Sequence, residues 1–308
     1  LLITTRNRRD ELLRTLAAMV PVLGSGNEII VLDDGSTDAT SQALQQAFSG
    51  VRVLREEQSR GYIAGRNRLL GMAVGTYAIS LDDDSEIVSP EALPEIARHF
   101  AENPRCGAIA MRIYWGPSLP PDLTAPQEPP HRVKSFVGCG HAWKMGAWHS
   151  IVPYPEWFEF YGEEDFASIQ LFRHGWEVHY LPQVVVHHRA VIRARPLSEQ
   201  RWRFRRQFRS GLFLMGLFYP WPKLLWHLAY ACWAQFQNRF RYTRNWRLLP
   251  AFLGALGDLL RRAPLLWRQR QPLTAEQWRT WQSIPGSVLY WQVPKTVDAT
   301  ASAKAQAR

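Results

Sequence analysis

At the start of the chain the apolar positions switch repeatedly between two periods. "LLITT" (1–5), "EIIVLDD" (28–34), "VRVLRE" (51–56) and "TYAISLDDD" (76–84) are short apolar runs of strand length. Between them, "DELLRTLAAMVPVL" (10–23), "TDATSQALQQAF" (37–48) and "GYIAGRNRLLGMAVG" (61–75) carry apolar residues at helical spacing. The second of these opens on a Thr37 or Asp38 cap. This β-α-β order predicts an α/β fold, a Rossmann-like and mostly parallel sheet flanked by helices. Such sheets take ligands beyond the carboxyl ends of their strands. "LDDGS" and "LDDDS" both close strands and are expected to lie near each other.

The pattern then changes character. Residues 115–133, "WGPSLPPDLTAPQEPPHRV", read as a Pro-rich loop, and "KSFVGCGHAWKMGAW" (134–148) as a strand with two close glycines. Residues 163–174 have helical spacing; "EVHYL" and "VVVHH" read as two short strands. "RWRFRRQFRSGLFLMGLF" (201–218), "YPWPKLLWHLAYACWAQF" (219–236) and "LLPAFLGALGDLLRRAPLLW" (248–267) predict amphipathic helices. The longest apolar run, 211–236, is broken by Pro220, Pro222 and Lys223. A simple spanning helix needs about 20 uninterrupted apolar residues, so this run argues against a span. The organisation expected is an α/β domain over 1–190, a basic Trp-rich helical region over 191–293, and a disordered tail over 294–308.

Charge sharpens that division. The formal net charge is +10 over 308 residues, yet residues 189–270 hold 17 Lys/Arg against Glu199 and Asp258 alone. Arg interleaved with Trp and Phe suits either stacked, phosphate-bearing nucleic acid or an anionic membrane face. The apolar positions Leu224, Leu225, Leu228 and Trp267 favour the membrane, so no nucleic-acid partner is expected. Cys106, Cys139 and Cys232 lack metal-ligand spacing and cannot all pair, which suits a reducing compartment. The opening "LLITTRNRRD" has neither an initiator Met nor a signal-peptide pattern and reads as lacking the beginning of the first strand.

Four groups of residues are candidates for chemistry. Asp82, Asp83 and Asp84 end a buried strand, where like charges repel unless solvated or gathered on a divalent cation. A charged turn explains them equally well on their own. Asp33 and Asp34 suit a nucleobase or ribose contact, or merely an Asx turn leading into a helix. Glu163, Glu164 and Asp165 open a helix, as the helix dipole favours, and one of them in a cleft would serve as a general base. His187 and His188 end a strand, so one points inward and the other outward; an imidazole completes a carboxylate metal shell.

In order and spacing, "LITTRNR", "VLDDGSTD", "GYIAGRN", "YAISLDDDSEI", "GEEDF…HGW" and "VVVHH" resemble the family 2 glycosyltransferases of GT-A fold over about residues 1–190. The basic, aromatic remainder is similar to bacterial cell-envelope and rhamnosyltransferase-like members. The resemblance implies a metal-dependent, inverting transfer of a hexose or deoxyhexose. The donor would be a nucleotide-diphosphate sugar (UDP- or dTDP-linked) and the acceptor a hydroxyl of a lipid-linked or cell-envelope glycan. Thr5 and Asp34 would hold the nucleobase and ribose, with Asp33 nearby, and Arg66 would approach the base or diphosphate. Asp82 and Asp84 match the family's Asp-x-Asp, with Asp83 between; Asp84 would ligate Mn²⁺ or Mg²⁺. Asp165 would be the base, preceded by Glu164. His187 would be a further ligand, with His188 in reserve, and Gly138 and Cys139 would line the sugar and acceptor site.

Ala167 and Leu171 depart from the family's usual acid and Arg, and Thr4-Thr5-Arg6 departs from its Pro-Thr-Tyr. Gln200-Arg201-Trp202 lacks the spacing of the processive synthases, so single addition is expected. The implied location is cytoplasmic, peripheral on the inner face of the plasma membrane. The competing classes are a sugar nucleotidyltransferase, whose Gly-rich loop after the first strand is missing from "TTRNRRDELL", and a non-catalytic membrane-docked nucleotide- or sugar-binding module.

Overall fold

The computed structural model describes residues 1–24, 26–119, 128–189, 195–288 and 290. In chain order the elements are β1 (Leu2–Thr5), α1 (Arg9–Leu23), β2 (Ile30–Asp33), α2 (Thr40–Ala47), β3 (Arg52–Arg55), α3 (Tyr62–Met72), β4 (Tyr77–Asp82), β5 (Ser85–Ile87), α4 (Ala92–Glu102) and β6 (Cys106–Trp115). They continue with β7 (His131–Val133), β8 (Gly140–Lys144), α5 (Met145–His149), α6 (Glu163–Arg173), β9 (Glu177–His188), α7 (Leu197–Phe218), α8 (Trp221–Phe236), α9 (Leu249–Gln269) and α10 (Ala275–Ser283).

The strands form one sheet in the order β3-β2-β1-β4-β8-β6-β9-β5, with β7 also paired to β9. Strands β3, β2, β1 and β4 are parallel, as their alternation with helices requires. The other half is mixed: β8 runs antiparallel to both β4 and β6, and β5 and β7 run antiparallel to β9. All four residues of β2 are buried because both faces of the sheet are covered. One face packs Ile3, Val31 and Leu81 against Leu12, Leu16 and Met19 of α1, which recur at helical spacing. The other packs Leu2, Ile30 and Ala78 with Trp143, Phe158 and Phe166.

The two short strands expected at 177–188 are one strand, β9, with an irregularity. Its parallel pairing to β6 runs through Leu181 opposite Met111, then resumes with Val185 opposite Arg112. Pro182 stands at the break, where a residue without an N–H cannot donate to the ladder. Residues 134–148 end as the strand β8 and the short helix α5.

The helical region is not uniform. The carboxyl-terminal half of α7 buries Phe213, Leu217 and Phe218 in the same core as the sheet, and α10 adds Trp278 and Trp281. Helix α9 packs Phe252 and Ala255 against Phe204 and Phe208 of α7. Helix α8 buries Leu224 alone and leaves Trp226 69% and Trp233 56% exposed. Among the described residues no helix is long and apolar enough to cross a membrane. The expected tail, 294–308, lies outside the described residues.

Candidate active site

Strands β1, β2 and β4 are parallel and in register, so their carboxyl ends bring Thr5, Asp33 and Asp82 level with one another. A cleft of about 920 Å³ opens there, lined by Thr5, Asp34, Asp82, Asp83, Asp84 and His188 among others. Gly138, Cys139, Glu163 and Glu164 line it as well. A cleft this size suits a nucleotide-sized ligand.

The two aspartates of "VLDDGS" divide into different jobs. Asp34 lines the cleft, and its carboxylate accepts from Ser59 Oγ at 2.6 Å, Arg60 N at 2.7 Å and Gly61 N at 3.0 Å. Asp33 was expected near the donor but is fully buried under the turn. It accepts from Ser36 N at 2.8 Å and Ser41 Oγ at 2.5 Å and pairs with Arg55 at 3.2 Å, which consumes its lone pairs in anchoring the turn and α2. Gly35 follows with φ +73°, and a Cβ there would meet Ser59 N at 2.9 Å, so only glycine fits between turn and loop.

"LDDDS" separates in the same way. Tyr62 donates to Asp82 Oδ1 at 2.5 Å, and Arg66 Nη2 reaches the same oxygen at 3.0 Å. Asp83 accepts from Thr5 Oγ1 at 2.8 Å and lies 3.3 Å from Arg8 Nε. Burial and the charges of Asp84 and Asp82 push the Asp83 carboxyl up to about 7, against Arg8. Burial would raise Asp84 as well, but the His188 contact and Arg8 outweigh it and hold this carboxyl well below its usual range. Asp84 sits 3.2 Å from His188 Nε2 and 2.6 Å from Arg8 Nη2.

Asp82, Asp84 and His188 form a group whose ligand atoms all lie within 4.8 Å of one another. His188 Nδ1 is buried without a partner among the described residues, and the other two donors are carboxylates. That set fits a hard or borderline divalent cation. His187, expected to be the ligand, faces the other way: Nε2 contacts Gly116 O at 2.9 Å and Nδ1 contacts Glu86 at 3.2 Å, so both ring nitrogens are engaged. The reason is register. β5 pairs antiparallel with β9, placing Glu86 opposite His187 and Ser85 opposite His188, which leaves His188 beside Asp84.

Arg66 does not line the cleft as expected. It is 3% exposed, stacks over the Tyr62 ring at 4.2 Å and donates to Gly138 O, so it braces the cleft from beneath. A Cβ on Gly138 would meet Glu164 Oε1 at 2.5 Å and Arg66 Nη1 at 2.7 Å. Backbone, base candidate and guanidinium therefore meet where a side chain cannot stand.

At the start of α6, Glu163 and Glu164 face the cleft, whereas Asp165, expected to be the base, is not among its lining residues. Asp165 sits on the other side of the helix turn, its carboxyl bonded by Ser135 and close to Tyr219. It keeps solvent access although protein crowds its flanks, and that crowding pushes its carboxyl up. Successive helical residues point about 100° apart, so neighbours in sequence cannot share one cleft wall equally. Glu163 is 2% exposed, and one of its oxygens has no partner. Burial and mutual repulsion push Glu164 well above the usual carboxylate range.

Sequence reasoning missed Arg8, Trp115, Phe160, Tyr161, Arg203 and Tyr290, all at the cleft. Tyr62 lay inside the quoted "GYIAGRN", and its phenol beside an acid was the available signal. Cys106 has metal-type neighbours after all: it groups with His99 and His179, drawn from β6, α4 and β9 at the opposite end of the sheet. Spacing along the chain could not reveal a group assembled from three elements.

Comparisons with known proteins agree with this fold. Residues 1–142 match the family described as Glycosyl transferase family 2. An uncharacterized protein of Sinorhizobium fredii is 28% identical over 120 residues, 37% of this chain and 13% of its own length. Among solved structures, GalNAc-T7 with UDP, GalNAc and Mn²⁺ superposes with a TM-score of 0.57 at 16% identity, over 71% of this chain and 47% of that one. A mannosyltransferase of Pyrobaculum calidifontis in complex with GDP-Man and Mn²⁺ gives 0.56 at 17% identity, over 87% of this chain and 77% of that one. The chain thus spans less than half the length of the first two of these relatives. The match to glycosyl transferase family 2 extends over residues 1–142, and the sheet and flanking helices are those of the GT-A fold.

Proposed function

We propose that this protein transfers a single sugar, with inversion, from a nucleotide-diphosphate donor to an acceptor hydroxyl. The observation that carries the reading is one cleft lined by both a two-carboxylate, one-imidazole group and the separate carboxylate of Glu164. Inversion needs the acceptor to attack from the face opposite the leaving group, so the base must be a residue other than those that would hold the metal. Glu164 fills that role: its raised affinity for protons makes it a stronger base than an ordinary carboxylate.

Asp82, Asp84 and His188 are the residues that would hold Mn²⁺ or Mg²⁺. When bound, such an ion supplies Lewis-acid stabilisation of the departing diphosphate. Asp34 and Thr5 line the cleft and would hold the nucleobase and ribose of a UDP- or dTDP-sugar. Arg8, 45% exposed in its side chain, pairs with both Asp84 and Asp83. Gly138 and Cys139 line the cleft and would border the sugar and acceptor.

The acceptor is a lipid-linked or cell-envelope glycan, reached with the protein peripheral on an anionic, cytoplasmic membrane face. The exposed aromatic face of α8 and the lack of any Asp or Glu between Glu199 and Asp258 support that part. The test is a thermal-shift screen of nucleotide diphosphates and nucleotide-sugars with and without Mn²⁺. A bound nucleotide raises the melting temperature by linkage. The Mn²⁺-dependent part of the rise is expected to vanish in Asp84→Ala and His188→Ala and to survive in His187→Gln. No nucleotide response in the wild type would overturn the donor reading.

A further inference from the structure

A second concave site lies away from the cleft. α7, α9 and the loop through Glu159 enclose a cavity of about 190 Å³. Arg205, Arg206 and Arg209 enter it from α7 and Arg261 and Arg262 from α9, against only two carboxylates, Glu159 and Asp258. Trp157 and Phe213 supply an apolar floor. Those carboxylates are already committed. Asp258 is gripped by Arg205 at 2.6 and 2.7 Å, and Glu159 is shared between Arg206 at 2.8 Å and Arg209 at 3.0 Å. Arg261 and Arg262 pair with no carboxylate among the described residues. The site therefore carries three positive charges in excess.

Donors are in excess as well. The Nε–H groups of Arg206 and Arg209 are buried without an acceptor among the described residues, and the Arg209 side chain is 7% exposed. Burial and the charges of Arg209 and Arg205 pull the Arg206 guanidinium below its usual range, opposed by Glu159. Like charges held this close are relieved by an anion. Guanidinium groups match tetrahedral oxyanions through paired N–H bonds. The volume equals about six waters at roughly 30 Å³ each, enough for an oxyanion and part of its hydration.

We infer that this arginine-lined cavity between α7 and α9 binds a phosphate group, distinct from any phosphate held in the cleft. The ligand is either free inorganic phosphate or the headgroup phosphate of an anionic lipid. The inference does not depend on the glycosyltransferase reading.

The experiment compares the full chain with an R261Q/R262Q variant, chosen because neither side chain is tied to a carboxylate among the described residues. Millimolar inorganic phosphate is expected to raise the wild-type melting temperature beyond a chloride control of equal ionic strength. The variant, with the same melting temperature in chloride, is expected to lose most of that rise. An equal rise in both proteins would mean that phosphate binds elsewhere, such as the cleft, and would overturn the inference. So would no rise in the wild type. Cosedimentation with phosphatidylcholine vesicles, with and without phosphatidylglycerol, then separates the two sources. Vesicle binding weakened by the variant and by added phosphate identifies the lipid headgroup. Unchanged vesicle binding, with the phosphate shift lost, identifies the free ion.

Discussion

Glu164 and Asp165 are adjacent acids with opposite surroundings. Glu164 faces the cleft within reach of Gly138 and Arg66, while Asp165 is bonded by Ser135 on the far side of α6. A general base contributes about 10²–10⁴-fold. Glu164→Gln is therefore expected to lower kcat for sugar transfer by at least 10²-fold while leaving nucleotide affinity within a few-fold. Asp165→Asn is expected to change kcat by only a few-fold. Full activity in Glu164→Gln, or a collapse confined to Asp165→Asn, would return the base to Asp165. The sequence made the three acids visible because they open a helix, but not which one turns inward. Rotation of α6 is set by Phe166, Ile169 and other buried positions of its apolar face. The same limit applied to Asp33, whose partners Ser41 and Arg55 come from other elements, and to the two histidines of β9.

At the scale of elements, the parallel half of the sheet was legible because each strand is a short apolar run between helices. The mixed half was not. β8 and β5 find their places through pairings set by tertiary register, and Pro182 interrupts a strand without ending it. The basic helices were legible as amphipathic, but not which of them the core would claim. α7 and α10 are claimed, and α8 is left with Trp226, Tyr230 and Trp233 exposed by 69, 54 and 56%. Tyr230 and Trp233 pair at 5.7 Å, and the exposed Arg239 and Arg241 follow directly in the chain. Aromatic rings with flanking cations suit the lipid interface. Replacing Trp226 and Trp233 together by Ala is expected to weaken cosedimentation with anionic vesicles several-fold at low salt. The melting temperature should hardly change, because neither ring belongs to the core. Undiminished binding, or binding insensitive to added salt, would move the docking surface off α8.

The whole molecule is tied together at the end of the sheet opposite the cleft by His99, Cys106 and His179. His99 Nε2 lies 2.9 Å from His179 Nδ1, and His179 Nε2 lies 3.0 Å from Glu177, which also holds Arg105 and Arg132. Helix α4 is thereby joined to β6, β7 and β9. Burial, His179 and Arg98 lower the His99 pKa to about 4, with Glu102 and Glu95 opposing. The unfolded value is about 6.5. Between those values the unfolded chain binds a proton that the folded protein refuses. Stability is therefore fully present above about pH 6.5 and is lost as the pH falls toward 4, with about 2 kcal/mol gone by pH 5. His99→Gln removes this titration. Its urea midpoint is expected to be lower than that of the wild type at pH 7.5 but to fall less between pH 7.5 and pH 5. The group stands on the order of 25 Å along β9 from His188, so nucleotide affinity at pH 7.5 should be the same in both proteins. If the two midpoints fall in parallel, His99 is not the group that titrates, and acid sensitivity must be sought in the carboxylates of the cleft.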